Sequence, residues 1–400
     1  MKNNRISTIR KSKWFWIKLM VLFAVCLFGF LYSLYYVNVY DLINHGESPD
    51  ESNYIAMAIR LLEDGVYSFW GEGPDAYVSP GYPMFLVFCM TIFGTGLDAI
   101  YSIKIVQCIM VGLSVLLVYL LGYMLTKRYS VGIIAAVFVA LNGSFPFYAR
   151  YLLTETSFTF FMLLFFVAFV YTYQSGKWWM YFISGMLLCV SMMIRPLIIV
   201  ILPILFLFEV MHRKKSPKIL LRAALPFLCG FLLVGLPWWI RNIITLGDFI
   251  FLATQTNPIY AGLAQDVVGM GLTDPGSLVG NLKLLIDLFL EHPYVTFYWM
   301  TLGKFSIIFL DGTVCQFYPE LTKLMNFATV CIGLCGCIRA LFCKNLRIPA
   351  IIFFVYFLSV FMFVPVQRYA LSYLPLLAIG AGYLLQVAFS GVKICHHGLD

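Results

Sequence analysis

Long apolar runs alternate with short polar gaps along the whole chain. Twelve apolar segments stand out, at roughly 14–36, 80–94, 99–125, 130–147, 156–174, 178–194, 196–210, 219–240, 294–311, 322–342, 348–364 and 369–388. A membrane-crossing helix needs about 20 apolar residues, with about 17 as a lower limit. Several segments are therefore short and their ends soft. Segment 80–94 is too short and opens with Pro80, Gly81 and Pro83, while segment 294–311 has His292, Lys304 and several tyrosines at or near its ends.

Composition agrees with this pattern. Of 400 residues, 62% are hydrophobic and 12% charged, and mean hydropathy is +0.88. A soluble domain has about half apolar and about a quarter charged residues. The chain is predicted to be an all-α, polytopic membrane protein forming a single domain over residues 1–400. The excess of Lys+Arg (27) over Asp+Glu (19) need not imply nucleic acid, because basic residues collect in the cytoplasmic loops of membrane proteins. The 11 cysteines include no CxxC pair and no His-Cys cluster, so small apolar packing is their expected role. The basic N-terminus enters an apolar run too long for a signal peptide, with no small-residue cleavage site after it. It predicts an uncleaved first span.

Charge decides which segments cross. If all twelve crossed from a cytoplasmic N-terminus, Lys127, Arg128 and "HRKKSPK" (212–218) would lie outside, against the positive-inside tendency. If 80–94 and 294–311 are re-entrant or surface helices, about ten spans remain and these groups become cytoplasmic. Of the 19 acids only Glu209 and Asp400 then fall inside. Two large non-cytoplasmic regions result, about 37–98 and 241–321, and function is expected there.

Candidate chemistry sits on that side. Arg150, Arg195, Arg241 and Arg368 each stand at the outer end of an apolar segment. An arginine at a span end can simply snorkel, but four on one leaflet suit a phosphate held at the membrane surface, since arginine clamps phosphate oxygens bidentately. Among the acids, Asp50 and Glu51 follow the first span, and Glu155 lies five residues after Arg150. A carboxylate there can take a hydroxyl proton, bind a metal or pair with Arg150; for Glu155, stabilising the first turn of a helix is an equal alternative. "SPDE" (48–51) matches a capping box, with Ser48 as cap and Glu51 reaching back. An amphipathic helix follows, with Ile55, Ala58, Ile59 and Leu62 on one face and Gly65 ending it. Capping accounts for Glu51 and leaves Asp50 unexplained. Gln255, Asn257, Tyr260 and Gln265 are candidate sugar contacts, or an ordinary polar loop. Trp70, Tyr77 and Tyr82 suit an aromatic belt better than sugar stacking.

The stretches "PDESNYIAMAIRLLEDGVYSF", "YVSPGYPMFLVF", "ARYLLTETSFTFF", "MMIRPL", "GLPWWIRNIITLGDFIFLATQ" and "QRYALSYLPLLA" resemble, in order and spacing, the GT-C superfamily of membrane glycosyltransferases. The closest resemblance is to the branch of dolichyl-phosphate-mannose protein mannosyltransferases, lipid A aminoarabinose transferases and rhizobial lipopolysaccharide sugar transferases. It implies an inverting transferase that moves a sugar from a polyprenyl-phosphate donor to the hydroxyl of a glycan, lipid or protein acceptor, on the non-cytoplasmic face of a bacterial plasma membrane. Catalytic carboxylates would be Asp50 and Glu155, and donor-phosphate ligands Arg241, Arg368, Arg150 and Arg195. Ser79 stands where some relatives carry a charged residue. No cofactor is required by the sequence; a divalent metal ion is compatible with it. Rival readings are a transporter or flippase of lipid-linked sugars, which would favour internal repeats and midplane charges, and a polysaccharide polymerase or ligase.

Overall fold

The computed structural model describes residues 2–41, 49–206, 217–255, 257–264, 272–310 and 319–390. Among these, helices dominate and no strand occurs. The first eight are α1 (Lys2–Asp41), α2 (Pro49–Glu63), α3 (Gly81–Phe93), α4 (Leu97–Thr126), α5 (Tyr129–Leu141), α6 (Ser144–Ala149), α7 (Thr154–Ser175) and α8 (Trp178–Ile194). Long helices follow at Pro217–Leu246 and Pro319–Leu341, and shorter ones at Arg347–Ser359 and Leu374–Ser390.

The protein is an integral membrane protein by the length and apolarity of its helices. Among the described residues, five helices are long and apolar enough to cross a bilayer: Trp14–Val39, Leu97–Thr126, Thr154–Ser175, Leu221–Leu246 and Glu320–Leu341. Six shorter apolar helices accompany them. The short segment at 80–94 is one of these, a 13-residue helix. The segment read as 130–147 divides into α5 and α6. Asn142 makes the break: its Oδ1 accepts the Ser144 N–H at 2.9 Å and its Nδ2 donates to Asn326 Oδ1 at 2.6 Å. Segment 294–311 is irregular, with π-helical turns at Trp299–Gly303 and Ser306–Leu310. Lys304, between those turns, is fully buried rather than interfacial and donates to the Phe361 carbonyl.

Helix packing relies on small residues where backbones cross. α8 meets the Pro217–Leu246 helix at Gly185 and Gly230. A Cβ at Gly185 would lie 1.9 Å from the Phe227 carbonyl oxygen, and one at Gly230 2.0 Å from that of Phe182. Without a hydrophobic drive between helices in lipid, such close approach is a main source of helix affinity.

The bundle has two chemically distinct ends. At one, Lys127 Nζ donates to Gln174 Oε1 (2.9 Å) and Lys18 lies over the Tyr129 ring (5.0 Å). The connections 127–128 and 176–177 are therefore neighbours. The basic stretch 212–216 lies outside the described residues. At the other end the N-terminus of α7 meets the C-terminus of α8, and the polar segments collect.

Candidate functional site

α2 begins two residues before the Asp50–Glu51 pair ends, and Gly65, at φ 69°, follows its last turn. The two acids diverge. Glu51 is buried, and its Oε1 accepts the Leu152 N–H at 2.8 Å, across 101 residues of chain. Glu51 thus ties α2 to the loop before α7. Ser48, the expected cap, lies outside the described residues. Asp50 stays accessible, its side chain 46% exposed, and its Oδ2 accepts from Arg368 Nη1 at 2.7 Å.

Arg368 reaches this point from the far end of the chain. It sits on the turn Gln367–Ser372, after an extended stretch in which Val364 N–H donates to the Pro258 carbonyl at 2.7 Å. Its Nε also lies 3.4 Å from Glu155 Oε1. That same oxygen accepts from Arg195 Nη2. Arg195 ends α8 in extended conformation (φ −140°, ψ 118°), as a residue before proline must; Pro196 thereby turns the guanidinium toward α7. Its Nε donates to Thr154 Oγ1 at 2.8 Å. The Tyr369 ring supports both cations, with Arg195 at 4.8 Å and Arg368 at 6.0 Å from its centre.

The result is an ion-pair chain, Asp50–Arg368–Glu155–Arg195, drawn from four segments. Glu155, only 1% exposed, anchors two guanidinium groups. Asp50 instead opens on a cavity of about 290 Å³. Tyr54, Ser79, Thr154, Arg195, Gln255, Arg368 and Tyr369 also line it, beside apolar residues including Phe69, Leu197 and Phe363. Gly81 sets one wall close to α8: a Cβ there would lie 2.6 Å from Ile194 N.

Of the four arginines grouped in the sequence, two meet and two do not. Arg150 is buried, with its guanidinium over the Phe147 ring (4.8 Å) and the Tyr151 ring (4.0 Å), and it does not line the cavity. Arg241 is used by the backbone. Its Nη1 donates to the Asp75 carbonyl (2.7 Å) and its Nη2 to that of Tyr67 (3.0 Å). Its neighbours act alike: Trp238, Trp239 and Asn242 donate to the carbonyls of Leu252, Phe251 and Ile250. The "PWWIRN" motif clamps two polar segments, which also pair directly through Thr254 N–H to Ala76 O (2.9 Å) and Gln255 N–H to Tyr77 O (3.2 Å). These segments form the cavity wall at Phe69, Val78, Ala253 and Gln255. Of the other loop candidates, Tyr260 donates to the Leu272 carbonyl (2.8 Å), and Gln265 lies outside the described residues.

Arg241→Ala is accordingly expected to cost about 1–3 kcal/mol, the penalty for buried acceptors losing a charged donor, and to expose the 67–78 segment to protease in membranes. Unchanged protease resistance with lost affinity for a lipid phosphate would return Arg241 to the phosphate role.

Sequence reasoning missed Tyr54 and Tyr369. Tyr54 follows Asp50 by four residues, a spacing that puts both on one helix face; Tyr369 adjoins Arg368. Both carboxylates, Asp50 and Glu155, pair with guanidinium groups, Glu155 Oε2 is buried without a hydrogen-bond partner, and no group of three His, Cys, Asp or Glu able to hold a metal occurs among the described residues.

Comparison with known proteins places this architecture. The family described as dolichyl-phosphate-mannose-protein mannosyltransferase matches residues 93–251. The Archaeoglobus fulgidus oligosaccharyltransferase in its apo form superposes with TM-score 0.59 at 15% identity, over 93% of this chain and 51% of that one. ArnT from Cupriavidus metallidurans, bound to undecaprenyl phosphate, superposes with TM-score 0.53 at 14% identity, over 92% of this chain and 60% of that one. The chain carries the GT-C fold. It spans about half the length of the oligosaccharyltransferase it matches. No curated protein matches its sequence. Within the GT-C framework, the matched range 93–251 includes Glu155, Arg195 and the Arg241 clamp, while Asp50 and Arg368 lie on either side of it.

Proposed function

We propose that this GT-C chain is an inverting glycosyltransferase that moves a sugar from a polyprenyl-phosphate donor to an acceptor hydroxyl. The observation that carries the reading is the pairing of one accessible carboxylate, Asp50, with two arginines that share a buried anchor, Glu155. That juxtaposes a base with an anion site. The mannosyltransferase family match and a fold shared with ArnT bound to undecaprenyl phosphate support the same donor class.

The chemistry follows from charge. The acceptor oxygen attacks the anomeric carbon from the face opposite the phosphate, and a new C–O bond forms. The bond from that carbon to the phosphate oxygen breaks, and its electron pair leaves with the lipid phosphate. Asp50 takes the acceptor proton. Arg368 and Arg195 stabilise the negative charge developing on the phosphate. Arg241 and Arg150 are assigned support of the surrounding wall and loop instead.

Orientation follows from the two ends of the bundle. Lys18, Lys127, Arg128 and Lys177 cluster at the end opposite the cavity, and such residues favour the cytoplasmic side. The cavity would therefore open on the non-cytoplasmic face of a bacterial plasma membrane.

The test is turnover in reconstituted membranes with a panel of polyprenyl-phosphate monosaccharides, with and without chelator. Sugar transfer with release of polyprenyl phosphate is expected, and the chelator arm reports whether a divalent ion takes part. Transfer from a nucleotide sugar alone would overturn the donor class.

A further inference from the structure

Tyr54 is a cavity-lining side chain that the reaction as derived above does not use. α2 places it one turn after Asp50, so both leave the helix on one face, and both line the cavity. Its ring is held edge-on by two neighbours, Phe69 at 6.0 Å and Tyr82 at 5.1 Å between centres. Such T-shaped contacts fix the ring's direction as well as its depth. The hydroxyl has no hydrogen-bond partner among the described residues, and it is not among the sealed, unpartnered oxygens. It opens on the cavity.

Burial pushes this hydroxyl well above the ordinary tyrosine range, with Arg195, Glu155, Asp50 and Arg368 acting on it electrostatically. It stays protonated through the physiological range and is a neutral donor. Its neighbours' donors are partly committed. Arg368 gives Nη1 to Asp50 and Nε to Glu155; Arg195 gives Nε to Thr154 and Nη2 to Glu155. Asp50 and Glu155 each already pair with a guanidinium, although Glu155 Oε2 is buried without a hydrogen-bond partner. An uncommitted O–H beside two guanidinium groups fits an oxygen on which negative charge grows.

We propose that Tyr54 contacts the donor, giving a hydrogen bond from its hydroxyl to a phosphoryl oxygen of the polyprenyl phosphate as the sugar's C–O bond breaks. The proposal rests on the transferase reading above. No proton is transferred from Tyr54; the acceptor proton still goes to Asp50 and the electron pair to the phosphate.

The deciding variant is Tyr54→Phe, which keeps the ring against Phe69 and Tyr82 and removes only the oxygen. In the full chain reconstituted in vesicles, kcat is expected to fall about 10²–10³-fold, the usual effect of deleting one preorganised donor. Affinity for polyprenyl phosphate without sugar is expected to fall about tenfold, with inorganic phosphate as the arm that reports the headgroup alone. Unchanged lipid-phosphate affinity overturns the inference, as does a loss confined to sugar-loaded donor, which would place Tyr54 at the sugar. A wild-type chain that does not bind polyprenyl phosphate at all overturns the transferase reading and this inference with it. Binding by wild type equal to that of Tyr54→Phe overturns the inference alone.

Discussion

Asp50→Asn is expected to abolish sugar transfer while leaving the fold and donor binding intact. The substitution preserves shape. An amide oxygen can still accept from Arg368 Nη1, now 2.7 Å from Asp50 Oδ2, so Arg368 keeps a partner at that position. What disappears is basicity. General-base assistance contributes about 10²–10⁴ in rate, and that is the expected loss in kcat. The structural cost is small, because the Asp50 side chain is 46% exposed and exposed ion pairs contribute about 0–1 kcal/mol. Initial rates at saturating donor, set beside binding of polyprenyl phosphate, separate the two effects. A variant within tenfold of wild-type kcat would remove Asp50 from the base role. Asp50→Glu is a useful companion, since it keeps the base and displaces it by one methylene.

This experiment also shows what sequence patterning can and cannot see. The 3.6-residue period placed α2 and its stop at Gly65 within two residues, because an amphipathic face and a left-handed glycine are local properties. Apolar length found α7 and α8 for the same reason. The break at Asn142 was hidden, since it depends on Asn326, 184 residues away. The partner of Asp50 was hidden more deeply: Arg368 lies 318 residues along the chain. Arg241 shows a third limit. A guanidinium that serves backbone carbonyls and one that serves a phosphate look alike in sequence, because both are an arginine at the end of an apolar helix. Only the carbonyls of Tyr67 and Asp75 around Arg241 tell them apart. Glu51 adds a tie to Leu152, 101 residues away, that its spacing alone does not reveal.

Glu155 carries the second large effect, and its character separates two roles. If Glu155 were a second base, Glu155→Gln would reduce turnover and leave stability alone. Its position argues otherwise. At 1% exposure it neutralises Arg195 and Arg368 through one oxygen, and it is absent from the cavity lining. Removing one partner of a buried ion-pair network leaves uncompensated charge and costs about 3–5 kcal/mol. Glu155→Gln should therefore lower stability by about that amount, read as loss of folded, monodisperse protein on heating in detergent. Turnover should fall with it, because both arginines lose the anchor that sets their direction. Affinity for inorganic phosphate should hold or rise, since the cavity gains a unit of positive charge. Glu155→Asp should not restore activity, because the shorter side chain cannot reach Arg195 Nη2 and Arg368 Nε together. A stable Glu155→Gln protein with reduced kcat alone would make Glu155 a participant in proton transfer, and the ion-pair chain would then need a different anchor.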